Sequence, residues 1–501
     1  MVAYGEFRTG YNKDEQDTRI LVYGLRYILE NYVMRPWTAD DVEKADVFFN
    51  SSSGSVVAGN TAAAADHLAP SHAAFPFPKD LYMKFVVENN GYFPVKIQAL
   101  QDGTCVNAHV PVYQITAEDE YAPLCTFLET LLTMLWYPTT VATLSRRARD
   151  IIEAAFEVSA DGGAASPLVA SRLHDFGFRG CASLEQSVLG GCAHLVNFDG
   201  TDTMSAAYYA QFHLNGGRPV GMSIPATEHS VMTCWPDERA AIYNMIEHFG
   251  TGCFATVMDS YDYGAALEQV VPLVAARKVA AGGFWVLRPD SGDPVEVVLQ
   301  GLRALDRVFG SDTNSKGYKV IRNAGVIQIL DAAVAAGFSA DNVAFGMGGG
   351  LLQRVNRDTM SFATKLNHVV YADGSARDVM KHPLTDMGKI SLPGVLAVKR
   401  VDGVPTVFPA DGGEVAPEED LLQVVYDKGP LPASQQRFED FDALRQRAQR
   451  EWDALPRSAD VYSASLQAKI AALSKERTSG KGVQQGPQQP QAQPQAVVSS
   501  S

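Results

Sequence analysis

From about residue 172 onward, the chain repeats one pattern of apolar and polar positions. A short apolar run is followed by a polar or glycine-rich cluster and then by a segment with helical apolar spacing, such as 238–249 or 294–308. A repeat of roughly thirty residues is typical of one strand–helix unit in a parallel sheet. The apolar runs, each given with its cluster, are 193–198 with 199–202, 220–224 with 225–230, 254–258 with 259–262, 284–287 with 288–294, 319–321 with 322–325, 343–345 with 346–350, and 365–371 with 372–374.

Seven such clusters in phase favour an α/β fold built on an irregular parallel (β/α) barrel. A single cluster would be an ordinary polar loop. Clusters that all follow strands should meet at the carboxyl end of the barrel, which is the active-site face of such folds. We therefore expect the chemically active residues of this chain around one barrel mouth.

The flanking segments predict an additional α+β domain built from both ends of the chain. Helical spacing occurs at 19–32, 40–49, 122–136 and 139–158, alternation between 81 and 113 predicts antiparallel strands, and 51–69 reads as a loop or weak helix. Strands at 395–400 and 405–408 and a helix at 438–455 follow the barrel. The predicted parts are an N-terminal α+β segment (1–165), a barrel core (166–390), C-terminal strands and helix packing with the N-terminal segment (391–475), and a disordered Gln/Pro-rich tail (476–501).

The stretch 343–357 is the first candidate for chemistry. An apolar strand leads into a glycine run that includes Gly349, and the following residues have helical spacing that places Arg354 and Arg357 on one face. A strand, a glycine turn and a helix N-terminus present backbone N–H groups to an anion, and Lys365 can add charge. The pattern is neither a P-loop nor a dinucleotide fingerprint. Phosphate binding and a turn that simply needs glycine both remain open from this run alone.

Composition and charge narrow the class of protein. The chain has 501 residues, 46% of them hydrophobic, and a net charge of -15, which argues against broad binding to nucleic acid or to an anionic membrane. The six cysteines form no C-x-x-C pair, so they suggest neither a zinc site nor a disulfide framework. The sequence shows no secretory leader and no apolar run long enough for a bilayer. We expect a cytoplasmic protein.

The clusters combine anion-binding and acidic groups at the predicted mouth. Glycine amides, Arg357 and Lys365 can hold a phosphate, and carboxylates can hold ribose hydroxyls or Mg²⁺, or stabilise a positive transition state. This combination suits glycosyl transfer at a phosphorylated ribose. Structural roles stay open: Asp259 and Asp290 could cap helices, and His229 could be a satisfied core histidine. The residues concerned are Asp202, Glu228, His229, Asp259, Arg288 and Asp290.

Several of these motifs, in the same order, resemble one known family. The chain from about Tyr4 to about residue 430 resembles the nicotinamide and nicotinate branch of the type II phosphoribosyltransferases. The motifs that carry the resemblance are Leu-His-Asp-Phe-Gly-Phe-Arg-Gly at 173–180, Asn-Phe-Asp-Gly-Thr-Asp-Thr at 197–203, 225–230, Asp-Ser-Tyr-Asp at 259–262, Arg-Pro-Asp-Ser-Gly at 288–292, 314–319, and 348–353.

The resemblance implies roles for individual residues at the base and ribose. Phe176 stacks on the nicotinamide ring, Arg179 contacts the ring substituent or the nucleotide, and Asp202 accepts an N–H bond from the carboxamide. Arg288 contacts the base or ribose region. Asp259 and Asp290 lie by the ribose, Mg²⁺ and His229, and are candidate Mg²⁺ ligands.

The resemblance also implies phosphate sites and a reaction. Gly349 and Arg357 hold the 5′-phosphate, while Arg8, Lys365 and Lys381 contact pyrophosphate and ATP phosphates, some of them across a homodimer interface. The expected reaction converts nicotinamide and phosphoribosyl pyrophosphate to nicotinamide mononucleotide and pyrophosphate in NAD salvage, stimulated by ATP through phosphorylation of His229. Transfer to nicotinate, or a catalytically weak homologue that binds a nucleotide or a partner protein, are the alternatives.

The sequence departs from the family pattern in several places. An Asp-Ser-Tyr-Lys segment precedes the first strand in the family, whereas this sequence starts at that strand; a misassigned start or a missing stacking wall is expected. Asn323-Ala324-Gly325 stands where we align the family's Gly-Asp-Gly, and Ala255 stands where a serine near the amide is found. The basic loop before the late strand is shortened and leaves Lys381 and Lys389.

Overall fold

The computed structural model describes residues 1–50, 77–327, 330–383 and 390–478. Its strands are β1 (Val2–Glu6), β2 (Arg19–Leu21), β3 (Val95–Ala99), β4 (Cys105–Asn107), β5 (Pro111–Ala117), β6 (Leu173–Asp175), β7 (Cys253–Val257), β8 (Phe284–Arg288), β9 (Ser311–Thr313), β10 (Lys319–Ile321), β11 (Ala324–Ile327), β12 (Val343–Met347), β13 (Ala363–Val370), β14 (Ala376–Asp378), β15 (Leu396–Val401), β16 (Val404–Pro409) and β17 (Gln423–Asp427).

The described part of the chain also contains α-helices. They are α1 (Leu25–Ile28), α2 (Ala39–Asn50), α3 (Lys79–Glu88), α4 (Leu124–Thr133), α5 (Trp136–Ser159), α6 (Leu184–Leu195), α7 (Met204–Tyr209), α8 (His229–Thr233), α9 (Glu238–Phe249), α10 (Tyr263–Ala265), α11 (Val271–Ala281), α12 (Pro294–Phe309), α13 (Leu330–Ala335), α14 (Gly349–Leu352), α15 (Phe441–Ala454) and α16 (Ala464–Thr478). The predicted loop at 51–69, Lys389 and the predicted tail beyond 478 lie outside the described residues.

A parallel sheet with the order β6-β12-β11-β8-β7 forms the centre of the barrel. Isolated parallel bridges continue the pairing beyond both edge strands: Asp175 with Thr201, Gly200 with Met222, and Ala226 with Ala255. Because 222 and 226 belong to one short segment, the pairings lead from β6 back to β7. The predicted α/β fold with an irregular parallel barrel is confirmed.

Burial explains why these strands and helices form where they do. Trp285 in β8 is fully buried and donates its indole N–H to Thr256 Oγ1 at 2.8 Å. Helix α12 covers the sheet with an apolar face that includes Leu302 and Leu305. Its start is set by Asp293, whose side chain accepts from two N–H groups of the first turn at 3.0 Å. The predicted helices at 238–249 and 294–308 match α9 and α12.

Three of the predicted barrel strands are wrong. Residues 193–198 are not a strand, because α6 runs to Leu195 and only the following polar residues pair with the sheet. Residues 319–321 form β10, which pairs antiparallel with β9, and the barrel strand is the next one, β11. Residues 365–371 fall largely in β13, which belongs to the antiparallel sheet. Since β11 begins at Ala324, the 323–325 motif lies at the amino end of a strand, opposite the mouth.

The N- and C-terminal segments share a six-stranded sheet with the order β14-β13-β1-β5-β3-β17. Strand β1 runs antiparallel to both neighbours, β13 and β5. The hairpin β15–β16 confirms the strands predicted after the barrel. One N-terminal prediction is wrong, because 19–32 contains β2, a short α1 and a π-helical turn. The antiparallel strands predicted between 81 and 113 are confirmed as β3, β4 and the start of β5, although residues 81–88 belong to helix α3.

A buried arginine joins the helix before the barrel to the C-terminal helix. Arg146 of α5 is 1% exposed, and its guanidinium pairs with Asp150, Glu153 and Asp453 at 2.8, 3.1 and 3.0 Å. Because Asp453 lies in α15, this network holds α15 against α5.

Candidate active site

The carboxyl ends of β7 and β8 bring two aspartates together. The Asp290 N–H donates to Asp259 Oδ2 at 3.1 Å, and Ser291 Oγ donates to the same oxygen at 2.5 Å. The Asp259 side chain is 6% exposed, and its Oδ1 is buried without a hydrogen-bond partner among the described residues. The helix-capping alternative is wrong for both, because α10 and α12 are capped by Asp262 and Asp293. One carboxylate oxygen is therefore left for another group.

His229 faces the same two carboxylates from the first turn of α8. Its Nδ1 is 3.1 Å from Ser260 Oγ, and its Nε2 is 3.5 Å from Asp290 Oδ2 and 3.9 Å from Asp259 Oδ1. The imidazole is 45% exposed, so the satisfied-core alternative does not describe it. The preceding Glu228 instead accepts from Ser230 within its own turn. Nε2 is the ring nitrogen that faces the mouth.

Phe176 and Arg288 form the next part of the mouth. The Arg288 guanidinium carbon is 5.9 Å from the centre of the Phe176 ring, and its Nε is 3.8 Å from Asp290 Oδ1. The Phe176 N–H donates to Met347 O at 2.9 Å, which ties β6 to the glycine run. A Cβ on Gly346 would lie 1.9 Å from the Phe176 ring. This glycine is thus required for the close approach of backbone and ring.

Asp202 lies on the segment that follows the Asp175–Thr201 bridge. Its N–H donates to Asp175 O at 2.9 Å, and its exposed carboxylate accepts from the Ser223 hydroxyl. Asp175 itself is fully buried and accepts from the Gly177 N–H at 2.7 Å. Burial raises the pKa of Asp175 to about 6, since its charged form is poorly solvated.

The raised pKa of Asp175 predicts a pH-dependent loss of stability. The unfolded chain ionises this group near pH 4 and the folded chain only near pH 6, so the folded state loses up to ~3 kcal/mol as pH rises across that interval. Asp175→Asn keeps an acceptor for Gly177 and removes this loss. We expect the thermal unfolding midpoint of the variant, relative to the wild type, to be higher at pH 7 than at pH 4.5. Asp402→Asn, at an exposed position, serves as the control. The prediction would be contradicted if the difference in thermal midpoint between Asp175→Asn and the wild type were equal at pH 7 and at pH 4.5.

The glycine run forms a turn but not the predicted helix. Strand β12 ends at Met347, α14 spans four residues from Gly349, and the chain then leaves the helix. Arg354 and Arg357 therefore do not share a helix face. Arg357 is 58% exposed and pairs with its neighbour Asp358 at 3.2 Å. A separate 3₁₀ turn at Arg357–Thr359 follows, and it is capped by the Asn356 side chain, which accepts from the Asp358 N–H at 2.9 Å.

The remaining predicted phosphate contacts lie in or just after strands of the antiparallel sheet, with Arg8 after β1, Lys365 in β13 and Lys381 after β14. Lys365 of β13 is paired in register with Tyr4 of β1, two residues before the buried Glu6. Burial, Arg8 and Lys381 together lower the pKa of Lys365, since like charges nearby disfavour its ammonium form. Arg8 and Lys381 thus both lie within electrostatic reach of Lys365. Arg179 is exposed in a 3₁₀ turn at 178–180.

The acidic groups at the mouth fit a lightly coordinated Mg²⁺. Within residues 1–50, 77–327, 330–383 and 390–478, no three Asp, Glu, His or Cys side chains are placed to hold a metal ion. Asp259 and Asp290 offer at most two carboxylates, one of them with an unpartnered oxygen. Mg²⁺ is commonly held by one or two carboxylates together with water and substrate phosphates.

Several residues of the mouth were not predicted. Ser260, Ser291 and Ser223 orient His229, Asp259 and Asp202, and Gly346 gives room to Phe176. Two of these serines directly follow predicted aspartates, so their position in the motifs was the available signal. Gly346 is the first glycine of the run, but its neighbour across the sheet is set only by the fold.

The chain is also similar in sequence to known proteins. A family model described as the nicotinate phosphoribosyltransferase (NAPRTase) family matches residues 171–429. A protein of Xanthomonas campestris named nicotinamide phosphoribosyltransferase is 39% identical over 431 residues, which cover 82% of this chain and 86% of that protein. A protein of the same name from Acinetobacter baylyi is 28% identical over 486 residues, covering 87% and 90% of the two chains.

Two solved structures are similar in fold. Human nicotinic acid phosphoribosyltransferase matches with a TM-score of 0.57 and 19% identity, covering 94% of this chain and 95% of that one. Nicotinate-nucleotide pyrophosphorylase from Pyrococcus furiosus matches with a TM-score of 0.54 and 15% identity, covering 90% and 89%. At these identities the likeness concerns the fold alone.

Proposed function

Because the chain belongs to the nicotinate phosphoribosyltransferase (NAPRTase) family, we propose that it is a nicotinamide phosphoribosyltransferase of NAD salvage. The C1–O bond of phosphoribosyl pyrophosphate breaks, pyrophosphate leaves with the bonding electrons, and the pyridine nitrogen supplies the pair for the new C1–N bond. The observation that carries the proposal is the mouth itself, where an aromatic face, an arginine and two carboxylates meet.

The chemistry needs positioning and charge rather than a general base. The pyridine nitrogen already has a free electron pair, so no proton has to be removed before it attacks. Phe176 offers a face for the ring. Asp259 and Asp290 stabilise the positive charge that develops at the ribose carbon as pyrophosphate leaves. The Asp259 carboxylate is held by a backbone N–H and a hydroxyl donor, so little reorganisation of this group is needed.

Asp202 provides a physical reason to favour an amide over an acid. A carboxylate accepts a hydrogen bond from –CONH₂ and repels –COO⁻. We expect Asp202→Ala to lower kcat/KM for nicotinamide by about tenfold or more and to lower that for nicotinate much less, since one charge-assisted hydrogen bond is lost. Initial rates with both bases measure the ratio. Ser223→Ala, which removes only the hydroxyl that orients Asp202, should give a smaller change in the same direction; an unchanged ratio in Asp202→Ala would contradict the role.

Mg²⁺ is the proposed metal, and Asp259 and Asp290 are the residues that would hold it. When bound, it neutralises the phosphate oxygens of the substrate. ATP is the proposed activating co-substrate through transfer of its γ-phosphoryl group to His229 Nε2. The 45% exposure of the His229 side chain supports the idea. Its two carboxylate neighbours would repel a phosphoryl group unless a cation lies between them, which links the two proposals.

The proposed phosphate contacts fall into two groups. Gly349 and Arg357 would hold the 5′-phosphate at the glycine turn, where the Arg357 side chain is 58% exposed and pairs with its exposed neighbour Asp358. Arg8, Lys365 and Lys381 would hold the pyrophosphate and ATP phosphates. Their mutual repulsion supports this assignment, since an anion between them would relieve it. Arg179 would contact the ring substituent or the nucleotide.

A homodimer with shared sites is part of the proposal. Helix α7 and the π-helical turn after it expose Met204, Tyr208 and Phe212, with exposures of 73, 63 and 54%. These residues follow one another at intervals of four, so they form one apolar stripe that a second copy would cover. Sedimentation analysis of Tyr208→Asp tests this: a dimer that persists unchanged would argue against the stripe as the interface.

We also propose that the protein works in a reducing cytoplasm. No helix among the described residues is long and apolar enough to cross a membrane. All six cysteines are free thiols, which supports a reducing cytoplasm. The net charge of -15 supports small phosphorylated substrates rather than nucleic acid.

The second candidate is nicotinate phosphoribosyltransferase, favoured by the description of the matching family. A mass-spectrometric product assay decides between them. The purified chain is given phosphoribosyl pyrophosphate and Mg²⁺ with either base, with and without ATP. We expect nicotinamide mononucleotide, formed faster with ATP, and no ATP effect in His229→Ala. Preference for nicotinate would establish the second candidate, and no product from either base would favour a binding homologue.

A further inference from the structure

A buried carboxylate lies behind the Arg8 side chain. Glu6, the last residue of β1, is fully buried and accepts from Arg8 Nε at 3.0 Å. The Arg8 side chain is only 9% exposed, and in the described part of the chain its Nη2 has no hydrogen-bond partner. Lys365 lies within electrostatic reach of Arg8, and Lys381 and Glu129 are further charged groups near Lys365. One edge of a fixed guanidinium is therefore left for an anion.

His109 approaches the other side of the same carboxylate. Its Nδ1 is 3.6 Å from Glu6 Oε2, and neither atom has a hydrogen-bond partner in the described ranges. The backbone of His109 is left-handed, with φ of 72°, a conformation that residues with a Cβ rarely adopt. Its N–H donates to Phe7 O at 2.7 Å, which holds the ring at this place. Strained residues that persist are often those with a function.

We propose that Glu6 and His109 are positioning residues for Arg8. Glu6 fixes the plane of the guanidinium through Nε, so that Nη2 faces the anion site, and His109 keeps the Glu6 carboxylate from turning away. This inference rests on the proposed function, because it takes the anion to be pyrophosphate or the pyrophosphate part of the substrate.

Two effects of Glu6 oppose each other and can be separated. As an acceptor it orients Arg8, whereas its negative charge weakens the attraction between Arg8 and an anion. Glutamine keeps the acceptor and removes the charge, while leucine removes both. A positioning role therefore predicts weaker anion binding in Glu6→Leu and recovery in Glu6→Gln.

Calorimetric titration of the full chain with inorganic pyrophosphate in the presence of Mg²⁺ tests this without turnover. We expect Glu6→Leu to bind about tenfold more weakly, Glu6→Gln to bind as tightly as the wild type or more tightly, and Arg8→Met to bind about a hundredfold more weakly, since charge-assisted hydrogen bonds are lost. His109→Gly should bind about threefold more weakly although its thermal midpoint rises, because glycine relieves the left-handed backbone. KM for nicotinamide should stay unchanged in all four.

A matched control is the exposed turn residue Asp402, whose φ is 49°. Asp402→Gly should raise stability in the same way and leave pyrophosphate binding unchanged. Binding of wild-type strength in both Glu6→Leu and His109→Gly overturns the proposal, as does a wild type that does not bind pyrophosphate. If Glu6→Leu fails to fold, His109→Gly decides alone. A chain that binds pyrophosphate with these differences but forms no product would refute the proposed function and leave the positioning role standing.

Discussion

Asp259→Asn should lower kcat about 10²- to 10³-fold, which is the usual effect of removing one preorganised charge from a transition state. The Asp259 side chain is 6% exposed and accepts from the Asp290 N–H and the Ser291 hydroxyl, and its Oδ1, unpartnered within the described ranges, lies 3.9 Å from His229 Nε2. Asparagine has nearly the same shape, so KM for nicotinamide should change little because Phe176 and Asp202 are untouched. Steady-state kinetics with each substrate varied in turn measure the two parameters.

The control for this substitution lies three residues further along the same loop. Asp262→Asn removes a charge from the N-cap of α10, where the carboxylate accepts from the Ala265 N–H at 2.8 Å. Asparagine also caps helices, so this variant should retain kcat within a small factor. Equal losses of kcat in the two variants would mean that loop stability, not transition-state charge, is the cause.

Gly346→Ala should raise KM for nicotinamide by roughly tenfold or more and lower stability by about 1–3 kcal/mol, as expected for overpacking in a filled site. The added Cβ would lie 1.9 Å from the Phe176 ring, and the ring cannot yield easily because the Phe176 N–H is tied to Met347 O. The ring must therefore rotate out of the position in which it would face the base. KM for phosphoribosyl pyrophosphate should change much less, since no predicted phosphate contact touches this glycine.

Gly252→Ala provides the matched glycine control. Gly252 precedes β7 at the amino end of the barrel, and the nearest atom to its added Cβ would be Phe249 O at 3.7 Å. This variant should bind both substrates like the wild type. If Gly346→Ala also kept the wild-type KM for nicotinamide, Phe176 would not be the stacking face. Thermal unfolding of both variants separates a general loss of stability from the local effect.

Most of the order of strands and helices in the barrel could be predicted from the sequence, but the pairing partners of the strands could not. Helix α9 has the predicted bounds because its apolar face repeats with the helical period along one buried side. The strand at 365–371 was also real, but β13 pairs antiparallel with β1, more than 350 residues earlier in the chain. A run of apolar residues specifies an extended segment. Only long-range pairing decides in which sheet it lies, and in which direction.

The sequence by itself determined that Asp259, Asp290 and His229 would meet, because residues after parallel strands converge at one barrel mouth whatever the details of packing. Tertiary structure alone decided how they act. It left Asp259 Oδ1 without a partner among the described residues, placed Arg357 in a separate 3₁₀ turn after α14, and made Gly346 essential to Phe176. Such properties depend on distances of a few ångströms between segments far apart in the chain. Spacing along a sequence fixes the direction of a side chain, but only the folded packing fixes its neighbours.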